Sequence, residues 1–212
     1  MKKILLTIAF VIIMTINASA QYKPFQFGLK VEPGVAWTKL NSDHLYDGKT
    51  KMSFNWGFVG NIFFVENYGL ATGFNMKFMN NEYSFKTKDE VDVTRTIKNQ
   101  YLEIPIGLIM RTEKMGNIRI LGNVSYSLGF LLNNNEKNFV YQHEAAIEND
   151  IHEYSKLRHA FIVKLGAEYY IHKSSSIIAA LVFNNNFANI YKANYEHHVL
   201  LNNLCLEIGF MF

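Results

Sequence analysis

Nine charged side chains recur at alternate positions inside long apolar stretches: Lys30, Glu32, Lys77, Glu103, Arg111, Arg119, Lys164, Glu168 and Glu207. Five are cations and four are carboxylates, so the chemistry they offer as a group is ion pairing. Residues of these types are almost never fully buried unless paired. A second set is the histidines. His44, His143, His152, His159, His197 and His198 fall in or beside polar connections, accompanied by Asp43, Asp47, Glu144, Asp150, Glu153 and Glu196. Imidazole and carboxylate together suit zinc, copper or nickel, and His152, His197 and His198 are the candidate ligands. No H-x-x-x-H pair accompanies them, and the simpler reading is that polar loops contain polar residues. There is no metal-spaced cysteine cluster, phosphate loop or nucleophile elbow. No cofactor is expected, and no catalytic residue can be chosen.

The elements that position the charges read as strands. In Asn99 to Arg111, Leu102, Ile104, Ile106, Leu108 and Met110 share one face, and Tyr101, Glu103, Pro105, Gly107 and Arg111 the other. Alternation of period two marks a strand, here long enough for a membrane barrel wall. The same pattern runs through about 25–38, 53–65, 70–85, 118–132, 159–171 and 202–212, and less clearly through 176–186. Pro105 removes one ladder donor and predicts a local irregularity, of which a bulge is the usual form. Residues 133–158 form the longest connection, where Ile147, Ile151, Tyr154 and Leu157 have the spacing of a short amphipathic helix.

About eight strands emerge, with connections that alternate long and short from the first onward. Long extracellular loops and short periplasmic turns follow that rule in outer-membrane barrels. The fold expected is therefore all-β, an eight-stranded antiparallel up-and-down transmembrane barrel. A soluble lipocalin-type barrel is the main alternative, but it wants an apolar lumen, and the nine charges all fall opposite the apolar face. Eight strands enclose space just wide enough for side chains, so the charges are expected to pair across the lumen and plug it. Trp37 and Trp56 are expected to belong to an interfacial girdle.

The first residues carry Lys2 and Lys3, an apolar run from Ile4 to Ile16, and Ala18-Ser19-Ala20. This is the layout of a secretory signal, which predicts cleavage after Ala20 and a barrel domain over 21–212. Removing Lys2 and Lys3 turns 21 basic residues into 19 against 18 acids, a net +1. That balance gives no nucleic-acid footprint. Cys205, the single cysteine, excludes an internal disulfide.

Tyr101-Leu102-Glu103-Ile104-Pro105 resembles the distinctive strand of the PorT-like outer-membrane β-barrel family of the Bacteroidota. Phe27-Gly28-Leu29-Lys30 is similar to that family's opening strand, and Val163 to Glu168 to its sixth. Phe183 to Ile190 resembles the seventh strand and the loop beyond, and Gly209-Phe210-Met211-Phe212 the closing strand. The resemblance implies outer-membrane localisation, contact with outer-membrane lipid, and recognition of the C-terminal strand by the barrel-assembly machinery. It departs where the family often has an inward arginine on the seventh strand, since Ala180 and Val182 stand there. The family's secretion role is not carried over. The function expected is that of a structural or interaction barrel acting through its extracellular loops on an envelope or surface protein. The alternatives are a small-ligand or metal-binding barrel and a rim-sited enzyme.

Overall fold

The computed structural model describes residues 24–40, 45–86, 92–140, 154–172, 174–191 and 199–212. Its wall is made of β1 (Phe25–Leu40), β3 (Lys51–Val65), β4 (Tyr68–Lys86), β5 (Asp92–Arg111), β6 (Ile118–Val140), β7 (Leu157–Tyr170), β8 (Ser176–Asn186) and β9 (Val199–Met211). A short β2 (Leu45–Lys49) lies in the first long connection and pairs with the outer part of β4. Every wall strand is antiparallel to both neighbours. β1 meets β9 with Gly28 opposite Met211, and the β4–β5 pairing joins the two ends of the sheet. The result is a closed eight-stranded barrel with no free edge around its girth.

Each strand buries every second residue. The pattern is cleanest in β8, where the sequence alternation was weakest: Ser176, Ile178, Ala180, Val182, Asn184 and Asn186 face in, and Ile177, Ala179, Leu181, Phe183 and Asn185 face out. Both sides of β8 carry aliphatic residues, which blurs a hydropathy reading but not the pleat. The outward set elsewhere is almost wholly apolar, including Phe58, Leu70, Ile106, Leu108, Val163 and Leu206, all substantially exposed. Leu165 is 65% exposed and Glu207 only 1%. A soluble protein has no reason to bury the carboxylate and expose the leucine; hydrocarbon outside the wall reverses that logic.

Aromatic rings gather at the periplasmic rim, where Phe27 stacks on Phe212 at 5.1 Å and Phe210 meets Phe212 edge-on at 4.9 Å. At the outer rim Trp37 stacks on Phe183. Trp56 does not belong to that girdle. It faces outward opposite Val31, six residues further in along β1 than Trp37, and is a mid-wall residue.

Of two other expectations, one holds in a particular form and one needs correction. The local irregularity expected at Pro105 is present, as a gap rather than the usual bulge. Thr72 pairs with Ile106 and Asn75 with Glu103 in one register, and the residues between them drop out of the β4–β5 ladder. On its other side Pro105 stays paired with Ser127. Proline has no N–H to give β4, and Thr72 Oγ1 partly compensates by donating to the Pro105 carbonyl at 3.0 Å. The extra residue lies elsewhere, in β6, between the partners of Gln100 and Tyr101. The amphipathic helix is not seen at its described end. Tyr154 forms a β-bridge with Tyr191, and Leu157 begins β7. Ile147 and Ile151 lie outside the described residues, as does the proposed signal segment 1–20.

The strands are unequal. β4, β5 and β6 have 19, 20 and 23 residues, against 11 in β8. Their outer ends rise past the apolar band into polar outward positions such as Asn80, Glu82 and Lys98. Beyond Leu131, whose N–H still reaches the Lys156 carbonyl at 2.9 Å, β6 is paired with β5 alone among the described residues.

Facing Pro105 across the gap is Gly73, with φ +153°, and a Cβ added there would meet the Phe58 carbonyl oxygen at 2.1 Å. Gly60, on the same sheet, has open space where its Cβ would go. Gly73→Ala is expected to cost about 1–3 kcal/mol, the range for a residue forced into sparsely allowed backbone geometry. Gly60→Ala is expected to leave stability nearly unchanged. Urea unfolding of the two refolded variants in detergent micelles checks the difference.

Candidate functional site

All nine alternating charges point into the lumen, and the barrel sorts them into two belts. The periplasmic belt is built by the inner ends of β5, β6 and β7. Arg111 Nη1 lies 3.9 Å from Glu168 Oε2, and Arg119 Nη2 donates to Glu66 Oε1 at 2.7 Å. Glu168 also accepts from Ser176 Oγ at 2.6 Å and Tyr170 OH at 3.0 Å. The Arg111 guanidinium stacks on the Phe63 ring at 3.7 Å, which lets a planar cation sit beside apolar surface.

One inward position further along the strands the lumen turns apolar. Val59, Leu121, Ile178, Ala180 and Met211 pack together, joining β3 to β6 and β8 across the barrel. Ala180, which with Val182 occupies the neighbourhood where the resembled family often has an arginine, belongs to this layer. An arginine there would interrupt it.

The central belt comes next. Lys30 Nζ contacts Glu32 at 2.6 Å and Glu207 at 3.4 Å, and Lys164 Nζ contacts the other Glu207 oxygen at 2.9 Å. Lys77 Nζ lies 2.8 Å from Glu103 Oε2, and Arg158 Nη1 binds Glu103 Oε1. Asn55 donates to Glu32 at 2.9 Å and Ser127 to Glu103 at 3.3 Å. Glu103 is fully buried and holds two cations from opposite directions.

Arg158 escaped the sequence reading, which assigned it to the long connection. Its parity was nonetheless available: Phe161 and Leu157 face out, so Arg158, between them on the same strand, must face in. Its Nη2 also donates to Asn184 Oδ1 and the Leu201 carbonyl, each at 3.1 Å.

Above the belts an apolar cork closes the outer end. Ala36, Met79, Tyr83, Ile97, Ile190, Tyr191, Val199 and Leu201 form one cluster with Tyr154 against it, and the Tyr83 and Tyr191 hydroxyls hydrogen-bond to each other. A cavity of about 30 Å³ remains in the central lumen, room for a couple of waters. The arrangement joins opposite walls by charge and packing across the described lumen.

His152, His197 and His198 lie outside the described residues, as do His44, His143 and their acidic neighbours apart from Asp47. Among the described residues no group of three or more metal-ligating side chains gathers. His159 sits instead at the outer rim, where its Nδ1 hydrogen-bonds the Tyr126 hydroxyl and its ring stacks near Phe187.

A closed wall apolar outside and charged within defines a small outer-membrane β-barrel. A family model of the outer membrane protein beta-barrel domain matches residues 19–192, and the chain belongs to that family. It is a protein of the outer membrane. Solved structures with a similar barrel include Ail, the attachment invasion locus protein of Yersinia pestis, at 12% identity over 90% of this chain and 100% of that one, with a TM-score of 0.43. Neisserial surface protein A matches at 10% identity over 86% and 95%, with a TM-score of 0.46. OprG from Pseudomonas aeruginosa matches at 10% over 89% and 94%, with a TM-score of 0.38. The comparison with curated proteins finds no match.

Removing one partner of a buried pair strands the other charge at a cost of about 3–5 kcal/mol. Glu103→Ala strands Lys77 and Arg158 together and is expected to reach that range. Glu113→Ala, in the exposed turn after β5, is expected to stay within about 0.5 kcal/mol. Denaturant midpoints of the two variants against the parent measure the contrast.

Proposed function

We propose that this protein is a structural and interaction barrel, which offers its outer end to an envelope or surface protein rather than conducting solutes. The observation that carries the reading is the stacked filling of the lumen. Glu103 and Glu207 tie the central walls together, and the Tyr83–Tyr191 cork covers them. A wide water-filled channel needs about 16 strands, and this wall has half that number. The long outer ends of β4, β5 and β6 supply rigid surface beyond the lipid, which suits binding rather than transport.

The role is that of a binder and not a catalyst, supported by the pairing of every buried lumen carboxylate, Glu32, Glu103, Glu168 and Glu207, with cations. Within its family the chain groups with the PorT-like barrels, supported by Tyr101 to Pro105, and no secretion role comes with that grouping. The strand ending at Phe212 is the segment the barrel-assembly machinery reads, supported by its aromatic terminus.

Planar bilayers doped with the refolded protein are expected to show no stepwise conductance. A photo-crosslinker at Asn135, on the protruding part of β6, is expected to capture a protein partner on intact cells, whereas one at Leu165, in the lipid-facing wall, captures none. Steady single-channel currents would overturn the proposal.

The protruding surface has an acid-sensitive fastening. Glu82, outside the membrane band, receives Lys51 at 2.7 Å and Lys49 at 3.1 Å, tying β2 and β3 to β4. The hydrogen bond from Lys51 is the main reason its carboxyl is held below the usual range, with Lys49 adding to it and partial burial opposing. A depressed carboxylate contributes stability above its unfolded pKa of about 4.3, and that contribution is lost as pH falls through the folded value. Both lysines are well exposed, so the contribution is about 0–1 kcal/mol. The protection of β2 amides, their exchange corrected for its own pH dependence, is therefore expected to fall below about pH 4, and the fall is expected to be absent in Glu82→Gln.

A further inference from the structure

The two charge belts differ in their balance. In the periplasmic belt Arg111 and Arg119 face Glu168 and Glu66, two cations against two carboxylates. In the central belt Lys30, Lys77, Lys164 and Arg158 share only Glu32, Glu103 and Glu207 among the described residues. Each of these seven side chains is at least nine-tenths shielded from solvent. One positive charge is therefore left without a carboxylate, in a place where uncompensated charge is costly.

The cavity lies beside that excess. Its lining includes Lys30, Lys77, Lys164, Asn75, Asn184 and Asn203, together with the carboxylates Glu32 and Glu207, and Asn75 Oδ1 and Asn203 Oδ1 are buried there without a donor. Asn184 is 1% exposed and its Nδ2 has no acceptor, so a buried N–H donor at the cavity wall goes unsatisfied while its own Oδ1 is held by Arg158. An unpaired donor of this kind is rare unless something fills the space beside it. Excess positive charge, orphaned polar groups of both kinds and room for a couple of waters fit a small anion accompanied by one water, which donates to the asparagine oxygens. The anion must be small, must accept hydrogen bonds, and must carry one negative charge.

We propose that the central cavity is a binding site for a monovalent anion of halide size, held by the lysines of the belt and the Asn184 amide. The anion neutralises the lumen and satisfies the donor in one step. The site is structural, independent of what the outer surface binds.

The test is to refold the protein in detergent with sodium bromide or with sodium gluconate at equal ionic strength. Equal ionic strength removes ordinary screening as an explanation, and gluconate is too large for the cavity. In bromide the midpoint is expected to rise with the logarithm of concentration, each tenfold increase above the dissociation constant multiplying the folding equilibrium constant about tenfold. Lys77→Met removes the surplus charge and is expected to abolish that dependence, while exposed Lys98→Met retains it. Identical midpoints of the parent in the two salts, or full bromide dependence in Lys77→Met, would overturn the proposal. Should Lys77→Met fail to fold, crystals of the parent grown from bromide decide. An anomalous peak within reach of Lys77 or Lys164 and Asn184 is the expected result, and a cavity holding only water sinks the idea.

Discussion

A peptide N–H inside hydrocarbon has no water to turn to, so it must find a carbonyl on another strand or cost several kcal/mol. Closure of the sheet follows from that demand, and nearly everything else in this molecule follows from closure. Once β4 meets β5, side chains must divide between an outer face in lipid and an inner one sealed from it. Pro105 shows how firmly the demand applies. The donor it lacks opens a gap in the ladder, and the gap is kept small by the Thr72 hydroxyl and by a glycine at position 73. The register on both sides is preserved, so every side chain beyond the proline still faces the correct way.

The interior that closure creates is too narrow to stay empty and too polar to pack as oil. Ion pairs, an apolar layer, more ion pairs and a tyrosine-capped cork occupy it in turn. Burying charges is no certain gain over burying aliphatics of the same size. The pairs do something aliphatics cannot: they disfavour alternative registers, since a one-residue slip would push Glu103, Lys77 and Lys164 into lipid. In that sense the belts specify the barrel as much as they hold it together.

The wall was legible from the chain because alternation is a backbone property that side chains merely report. Lys30, Glu32, Lys77, Glu103, Arg111, Arg119, Lys164, Glu168 and Glu207 all lie on the side their parity assigned, and β5 stands out because its apolar face is unbroken from Leu102 to Met110. The reading faltered where hydropathy stops tracking the pleat. In β8 both faces are aliphatic near Ile178 and Leu181. Beyond the membrane the outward residues turn polar, so the tops of β5 and β6 looked like loops and Arg158 was lost with them. Which carboxylate serves which lysine was not legible at all, because partners such as Lys164 and Glu207 meet only through the stagger of the closed sheet. Trp56 misled because its position along the strand depends on a stagger that composition does not encode.

The uneven heights of the strands give this barrel a front and a back. Among the described residues β4, β5 and β6 stand tall on one sector while β8 stops short on another, so the edge of the strand wall slopes like the brim of a cap. A companion of the kind proposed, binding through the tall sector, could engage only when that sector points its way. Recognition then carries a heading as well as an affinity, and neighbours bound through that sector would share a fixed orientation in the plane.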